Sequence, residues 1–316
     1  MLDPKVKVLQ LLERYGSVAA VAAVTSYTPS AVSYQLRQLS EQLEVKLIEP
    51  AGRGIKLTAA ARIVLRHAEV MQTQYELLRS ELAATSEEFS GQFTMCGFST
   101  AATHLLPHAT LTLRDRHPRL RVRLIEAEPS NCFRLVEGEE ADLALVMVTA
   151  DSPPLSDGRF DQQLLLDDPL DLVVPAGHHL AGRQTVTLAD AALESWSIGT
   201  PGSAYHQLTV AACVAAGFTP NMAYQADEWE TGAALVAQGL CVMLMPRLGS
   251  IDQRWPVERI QLSGEPAPAR RIMAVTRKGA AGHPLVAEAL GLIHASSSSL
   301  FTSGPKPTSL IFPTIE

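Results

Sequence analysis

The first 60 residues carry hydrophobic positions at helical spacing, interrupted by polar breaks, and this pattern predicts a group of short helices. The first helix is expected over 3–15, and a small apolar helix over 18–24. A third, over 29–44, begins after Thr28, which can cap it, with Pro29 in its first turn. Its buried face is predicted by apolar residues at i, i+4, i+7 and i+11: Val32, Leu36, Leu39 and Leu43.

The opposite face of this third helix is polar and includes an aromatic ring and an arginine. Its residues are Ser30, Ser33, Tyr34 and Arg37. Such side chains suit a helix in the major groove of DNA, where base edges offer hydrogen-bond partners. We therefore predict DNA contacts from these four residues and from Thr28 and Pro29 at the helix start. Because surface helices usually present polar residues to water, an ordinary solvated face is the alternative.

Residues 46–57 change to short strand-like pieces around a glycine-rich tip, which predicts a β-ribbon and hence a winged helix-turn-helix. Arg53 at this tip is placed to meet a phosphate or the minor groove, with a turn arginine in water as the alternative.

A long helix is expected from 59 to about 85, with a length of about 40 Å. Apolar residues near heptad spacing predict that it pairs with a second copy: Ile63, Val70, Met71, Leu77, Leu78 and Leu82. Packing on the following domain is the alternative. We expect a dimer, because two recognition helices read two half-sites where one reads too few bases.

Beyond a polar boundary at 86–91, strand-like and helical patterns alternate, which predicts an open α/β sheet. The first half has expected strands at 92–99, 121–126 and 142–148, with helices at 101–116 and 131–137. The second half has expected strands at 170–174, 196–199, 222–225 and 241–245, with helices at 188–192, 203–216 and 230–237. A strand at 270–277 returns to the first half, and a helix at 284–295 closes it. Residues 296–316 are rich in Ser, Thr and Pro and predict a disordered tail.

Composition and charge add constraints on the function. With 316 residues, 47% of them hydrophobic and 19% charged, the chain fits two or three globular domains. No apolar run reaches about 18 residues and the N-terminus lacks a secretory pattern, so we expect a cytoplasmic protein. The net charge of −7 divides into +4 for residues 1–66 and −11 for the remainder. A basic head on an acidic body favours nucleic acid at one end only.

Several motifs resemble one family. LQLLERYGS, TPSAVSYQLRQL and VKLIEPAGRGIKLT, followed by the long helix, resemble the DNA-binding head of LysR-type transcriptional regulators over residues 2–67. VEGEEADLALV and GLCVMLMP resemble the family's effector domain, so the resemblance reaches about residue 295. Ser40, Leu47-Ile48 and Pro50 depart from the family's usual Glu, Leu-Phe and Arg, and the missing arginine removes one expected phosphate contact.

The resemblance implies an α/β fold with an N-terminal winged helix-turn-helix and a two-lobed, periplasmic-binding-protein-like effector domain. The expected parts are a DNA-binding domain, a dimerisation (linker) helix, an effector-binding domain and a tail, at 1–58, 59–88, 89–295 and 296–316.

An effector site is expected where strands run into helix N-termini in both lobes. Backbone N–H groups and hydroxyls at such ends suit an anion, most simply a carboxylate. The resemblance implies that Thr100 and Ser99 occupy the position of the family's effector-contacting hydroxyl. For each residue alone, helix capping is the alternative. The predicted contacts are Ser99, Thr100, Thr149, Thr200, Ser203 and Trp229.

Catalysis and metal binding find little support in the sequence. His178-His179 follows a strand with no third ligand at helical or turn spacing, so a solvated loop is the preferred interpretation. The common phosphate-loop, nucleophile-elbow and zinc-protease motifs are absent from the sequence. The four cysteines lie far apart and are predicted to be buried reduced thiols. We expect no cofactor and no metal.

The sequence therefore predicts a transcriptional regulator and not an enzyme. Its expected partners are double-stranded DNA, a small effector that is most simply a carboxylate, further copies of itself as a homodimer or homotetramer, and RNA polymerase. The alternatives are a cytoplasmic small-solute-binding receptor and a two-lobed α/β enzyme, both without DNA binding.

Overall fold

The computed structural model describes residues 3–52, 54–86, 88–264 and 267–300, with the backbone alone for 298–300. Two compact units are formed. Unit 1 comprises Met1–Thr85 with the short segments Gly158–Asp161 and Arg277–His283. Unit 2 comprises Ser86–Asp157, Gln162–Thr276 and Pro284–Glu316. Within the described ranges, no helix has the length and apolarity that crossing a membrane requires.

Three helices open unit 1: α1 Pro4–Tyr15, α2 Val18–Val24 and α3 Pro29–Gln42. Asp3, Ser17 and Thr28 cap them, each side chain accepting a hydrogen bond from a backbone N–H of the first turn. Their shared core includes Val8, Leu9, Leu12, Val21, Val32, Leu36, Leu39 and Leu47. The expectation that Leu43 is buried is wrong: Leu43 is 40% exposed, because α3 ends at Gln42 and Leu43 is its C-cap.

A two-stranded antiparallel ribbon and a long helix follow. The ribbon consists of β1 Ile48–Ala51 and β2 Gly54–Leu57. The Thr58 hydroxyl donates to the Lys46 carbonyl and accepts from the Ala61 N–H, so it joins the ribbon to α4, Ala59–Ala84. Arg53 lies outside the described residues. The apolar residues predicted to pair with a second copy are exposed in this chain: Ile63, Val70, Met71, Leu77, Leu78 and Leu82.

The second half of α4 is fixed to residues 277–279 within unit 1. Nε of Arg277 lies 3.0 Å from Oε1 of Glu76, and both side chains are at most 5% exposed. The Ser80 hydroxyl donates to the Gly279 carbonyl over 3.4 Å. Gly279 has a φ of +88°, and a Cβ there would lie 2.6 Å from the Thr73 carbonyl oxygen. Only glycine allows this backbone conformation and this close approach to the helix.

The first lobe of unit 2 has a parallel three-stranded centre. Its strands are β3 Gly91–Gly97, β4 Leu120–Glu126 and β5 Leu143–Met147. The helices are α5 Ser99–His104, α6 Leu106–Arg116, α7 Pro129–Glu137 and α10 Pro284–Leu300. The single helix expected at 101–116 is thus two helices. Pro107, in the first turn of α6, lacks the N–H that would continue α5.

The second lobe is built on a long strand, β6 Phe160–Pro175, which pairs antiparallel with β9 Met243–Pro246 and β10 Val257–Gln261. A parallel pair, β7 Ser195–Ile198 and β8 Asn221–Gln225, completes its strands. Its helices are the 3-10 turn Leu188–Ala191, α8 Ala204–Ala215 and α9 Trp229–Ala237. Strand β11, Ala269–Arg277, lies between β6 and β5, so the main sheet runs β10-β6-β11-β5-β3-β4.

Unit 2 differs from the sequence expectations at three further places. Strand β6 begins at Phe160 and not at 170. Its first half, FDQQLLLDDP, groups polar and apolar residues in twos and threes and ends in a proline, so it lacks the strict alternation that indicates a strand. The short strand β10 was not expected at all. The predicted tail is wrong for 296–300, which continue α10; the Ser296 and Ser297 hydroxyls donate to the carbonyls of Leu292 and His294. The remainder of that prediction, 301–316, lies outside the described residues.

Candidate nucleic-acid interface and effector site

The polar face of α3 points away from the core of unit 1. Ser30 and Arg37 are exposed, Tyr34 is 56% exposed, and Ser33 is half-buried. Opposite them, Val32, Leu36 and Leu39 are at most 1% exposed. Pro29 is exposed in the first turn, and the Thr28 hydroxyl accepts from the Ala31 N–H over 3.2 Å. The hydrophobic face thus holds the helix while the polar face is available to a partner.

An exposed ion pair links the two strands of the ribbon. Nζ of Lys56 on β2 lies 3.1 Å from Oε1 of Glu49, its cross-strand partner on β1. Both side chains are well exposed, so this pair contributes little to stability.

In the first lobe, the Thr100 side chain meets a buried ion pair. Nη2 of Arg270 donates to the Thr100 hydroxyl over 2.6 Å and lies 2.8 Å from Oδ2 of Asp168. All three residues are at most 4% exposed, and the guanidinium lies 4.8 Å from the centre of the Phe98 ring. Burial raises the pKa of Asp168 above its usual value, while Arg270 and the Leu248 N–H oppose that rise. The oxygen of Thr100 is thus engaged as an acceptor, and its proton remains available for donation.

Ser99 and Thr149 lie nearer the surface. Ser99 is exposed at the first position of α5. Thr149 follows β5, and its N–H donates to the Ser152 hydroxyl over 2.9 Å. The adjoining Ala150 N–H donates to Oε1 of Gln207 on α8 over 3.3 Å. This contact brings the end of β5 beside the first turns of α8, the helix that Ser203 caps.

In the second lobe, Thr200 is already bonded to a carboxylate of the protein. Its N–H and hydroxyl donate to Asp227 over 2.6 and 2.5 Å, and Gln225 donates to the hydroxyl over 2.8 Å. The hydroxyl and N–H of Thr200 hold the pKa of Asp227 below its usual value. The expected free donors at Thr200 are therefore occupied, and an anion would have to displace Asp227. Ser203 accepts from the His206 N–H over 3.1 Å as the cap of α8.

Trp229 starts α9 and packs against a second aromatic residue. Its ring centre lies 4.6 Å from that of Tyr205 at an interplanar angle of 74°. The Tyr205 hydroxyl donates to the Leu244 carbonyl over 2.8 Å, and burial raises its pKa. The pair provides an apolar wall fixed to the strand that carries Leu244.

The predicted effector residues form two sets in the structure. Ser99 and Thr100 find partners on α5 and β11, whereas Thr200 and Ser203 find partners in the second lobe. Sequence reasoning missed Arg270 and Asp168 as a buried pair beside Thr100. The sequence did contain a sign of this pair: Arg270 stands just before the apolar run of β11, and Asp168 lies inside β6.

The described cysteines are free and buried, as the sequence predicts. Burial raises the pKa of Cys213 to about 12 and that of Cys241 to about 11. The pKa of Cys96 is raised as well, first by a hydrogen bond with Cys132 and then by burial. A thiol must ionise to react readily, so none of these three positions favours redox chemistry.

Comparison with known proteins identifies both parts of the chain. The family described as "Bacterial regulatory helix-turn-helix protein, lysR family" matches residues 5–62, and "LysR substrate binding domain" matches residues 86–297. The Escherichia coli "DNA-binding transcriptional dual regulator OxyR" is 26% identical over 249 residues, 78% of this chain and 80% of that protein. The uncharacterised regulator YybE of Bacillus subtilis is 26% identical over 244 residues, 77% of this chain and 82% of the relative.

Solved structures share the fold across most of the chain. An OxyR mutant of Corynebacterium glutamicum has a TM-score of 0.59 and 20% identity over 94% of this chain and 92% of the other. HinK of Pseudomonas aeruginosa has a TM-score of 0.56 and 21% identity over 94% of this chain and 98% of the other. Together with the two family matches, the helix-turn-helix and the two-lobed body show that this chain belongs to the LysR family: it is a DNA-binding transcriptional regulator with an effector-binding domain, and not an enzyme.

Proposed function

We propose that the polar face of α3 reads the base sequence of an operator. The observation that carries the proposal is the exposure of Ser30, Tyr34 and Arg37 on a helix whose other face is buried. Ser33 lies on the same face, and Thr28 and Pro29 bring the helix N-terminus towards a phosphate. Arg53 at the ribbon tip is assigned to a phosphate or the minor groove. The protein acts in the cytoplasm, where a bacterial chromosome is found.

The chain is proposed to act as a homodimer or homotetramer paired through α4. Its head and linker helix correspond to residues 1–58 and 59–88, and its effector domain to 89–295. Support comes from six large apolar side chains of α4 that are between 39 and 58% exposed. RNA polymerase is the proposed partner on DNA through which transcription is altered.

Replacing Leu78 and Leu82 together by aspartate is expected to dissociate the oligomer. Both side chains are about half exposed in the single chain, and burying a charge in a coiled-coil seam is unfavourable. We expect the association constant to fall by roughly two orders of magnitude, because a two-fold interface contains each change twice. Light scattering after size exclusion measures the mass. Leu111→Asp on α6, where Leu111 is 48% exposed, is the control; equal masses for both variants would contradict pairing through α4.

The effector is proposed to be a small anion, most simply a carboxylate, bound by groups from both lobes. Ser99, the proton of Thr100, Thr149 and Ser203 offer hydrogen bonds near the ends of strands, and Trp229 offers an apolar wall. The N–H and hydroxyl of Thr200 already donate to the Asp227 carboxylate, so Thr200 can bind the effector only after Asp227 moves away. Effector binding shifts a population between two arrangements of the lobes and thereby changes operator affinity.

Some relatives are named as hydrogen peroxide-inducible genes activators. The buried cysteines of this chain, three of them with raised pKa, support an effector that binds without thiol chemistry.

A thermal-shift screen of the intact chain against small carboxylic acids tests the effector proposal. A bound acid is expected to raise the melting temperature by mass action. Thr100→Ala is expected to weaken it about 10- to 100-fold, as the loss of a hydrogen bond to a charged group does. Thr103→Ala, one turn further along α5, removes a hydroxyl that bonds only within its helix and serves as the control. Equal shifts in both variants would exclude Thr100 from the site.

A further inference from the structure

Two histidines and a glutamate converge in the second lobe, away from the residues assigned to the effector. His178 and His179 lie in the turn that follows β6, and Glu194 immediately precedes β7. Nε2 of His178 lies 3.6 Å and Nε2 of His179 3.8 Å from Oε1 of Glu194. The three ligand atoms all lie within 4.8 Å of one another, and no other such trio is found among the described residues.

We propose that these side chains bind a divalent transition-metal ion of the Zn²⁺ class. Zinc binds imidazole nitrogen at about 2.0–2.1 Å and carboxylate oxygen at about 2.0–2.2 Å. Tetrahedral ligands around such an ion are about 3.4 Å apart. The separations of Nε2 of His178 and His179 from Oε1 of Glu194, 3.6 and 3.8 Å, exceed that value by a few tenths of an ångström. The two imidazole ligand atoms lie within 4.8 Å of each other, so side-chain rotations bring the three ligands to coordination distance. Imidazole with carboxylate suits zinc better than the hard cations Mg²⁺ and Ca²⁺.

The backbone around the three ligands is held by hydrogen bonds. The His178 N–H donates to the Pro175 carbonyl over 3.1 Å, and the His178 carbonyl accepts from Ala181 over 2.8 Å. The Gly177 N–H donates to the Glu258 carboxylate over 2.8 Å. Glu194 is placed by its own N–H, which donates to the Ala191 carbonyl over 3.2 Å. The ion would therefore meet ligands on a largely fixed frame, which lowers the entropy lost on binding.

The exposure of the ligands indicates an accessible site with an open position. The side chains of His178 and Glu194 are 14% and 27% exposed, whereas that of His179 is 64% exposed. Three protein ligands leave a fourth tetrahedral position for water. Two half-buried ligands are thus already placed, and His179 closes over the ion from the solvent side.

Coordination changes the proton position on His178. Its Nδ1 accepts a long hydrogen bond from the Leu180 N–H at 3.4 Å, which places the proton of the neutral ring on Nε2. To bind the metal through Nε2, the neutral ring carries its proton on Nδ1 and gives up this contact. A 3.4 Å bond is near the limit of hydrogen bonding, so its loss costs little against a metal–nitrogen bond.

Titration of the tag-free, chelator-treated intact chain with ZnCl₂ in a calorimeter tests the proposal. One equivalent per chain is expected, and the His178→Ala/His179→Ala double variant and Glu194→Gln are each expected to bind at least about tenfold more weakly. His108→Ala, an exposed histidine of α6, is the matched control and is expected to bind as wild type. Circular dichroism and operator binding without zinc check that the variants are folded.

Co²⁺ provides a second readout that distinguishes the ligands. The expected spectrum has visible d–d bands without the intense near-ultraviolet thiolate band that cysteine ligands would give. Unchanged zinc affinity in the double histidine variant, a thiolate band, or no binding by wild type at millimolar zinc would each overturn the proposal. Because zinc affinity and the Co²⁺ spectrum are read without DNA or effector, a negative result in them leaves the regulatory proposal untouched.

Discussion

Replacing Arg37 by alanine is expected to weaken operator binding about 5- to 150-fold for each head engaged. An arginine that forms two hydrogen bonds with a base edge contributes about 1–3 kcal/mol of discrimination. Arg37 is exposed on α3 and so can make such a contact, whereas the core beneath it is unchanged by the substitution. Fluorescence anisotropy with a selected operator duplex measures the loss. Ser33→Ala, which removes one neutral donor, is expected to have a smaller effect of the same sign.

Arg114→Ala controls for the change in net charge. Arg114 lies on α6 in unit 2 with a 65% exposed side chain, so its removal alters charge equally without altering the head. The salt dependence separates two roles of Arg37, because loss of a phosphate contact reduces the slope of log affinity against log salt by about one. If Arg37→Ala and Ser33→Ala bind the operator as tightly as wild type, α3 is not the recognition helix.

The second large effect is expected from Arg270→Met, which should destabilise the intact chain by about 3–5 kcal/mol at neutral pH. The change keeps the length of the side chain but leaves Asp168, which is 0% exposed, without its ion-pair partner. Urea unfolding followed by tryptophan fluorescence measures the loss. Arg271→Met is a close control, because Arg271 forms an exposed ion pair with Asp167 at 3.2 Å. Loss of this exposed pair should cost at most about 1 kcal/mol.

The penalty of Arg270→Met is expected to depend on pH. Burial already raises the pKa of Asp168, and loss of Arg270 removes an interaction that lowers it. When the pKa of a carboxyl group is higher in the folded than in the unfolded protein, the group does not destabilise the fold at a pH below its unfolded pKa. As the pH rises above that value, the folded state becomes less stable. The destabilisation should thus be larger at pH 7.5 than at pH 4.5. In a double-mutant cycle, Asp168→Asn should recover part of the loss; fully additive effects would show that the two side chains are not coupled.

The sequence predicted the head well because its signals are local. Thr28 caps α3 as predicted, and Val32, Leu36 and Leu39 form the predicted buried face. The expectation failed at Leu43, because α3 ends at Gln42 and periodicity does not fix the last residue of a helix.

The ligand-binding side was less predictable because its partners are distant in sequence. The pairing of Thr200 with Asp227, of Thr100 with Arg270, and of Glu194 with the two histidines depends on which strand ends the fold brings together. Spacing along the chain carries no information about such contacts. The sequence identified the hydroxyls of Thr100 and Thr200 from their local context. It could not identify the charged residues that form hydrogen bonds with them.

The contact between Glu76 and Arg277 has a practical consequence for dissecting this regulator. A fragment that starts after Thr85 keeps Arg277 and Gly279 but loses Glu76, Ser80 and the helix surface they rest on. The Arg277 guanidinium would then bind water instead of the Glu76 carboxylate. The turn at Gly279, which packs against α4 in the whole chain, would be exposed to water. Ligand affinities and melting temperatures measured on such a truncated piece would describe a loosened protein, so quantitative work belongs on the whole polypeptide.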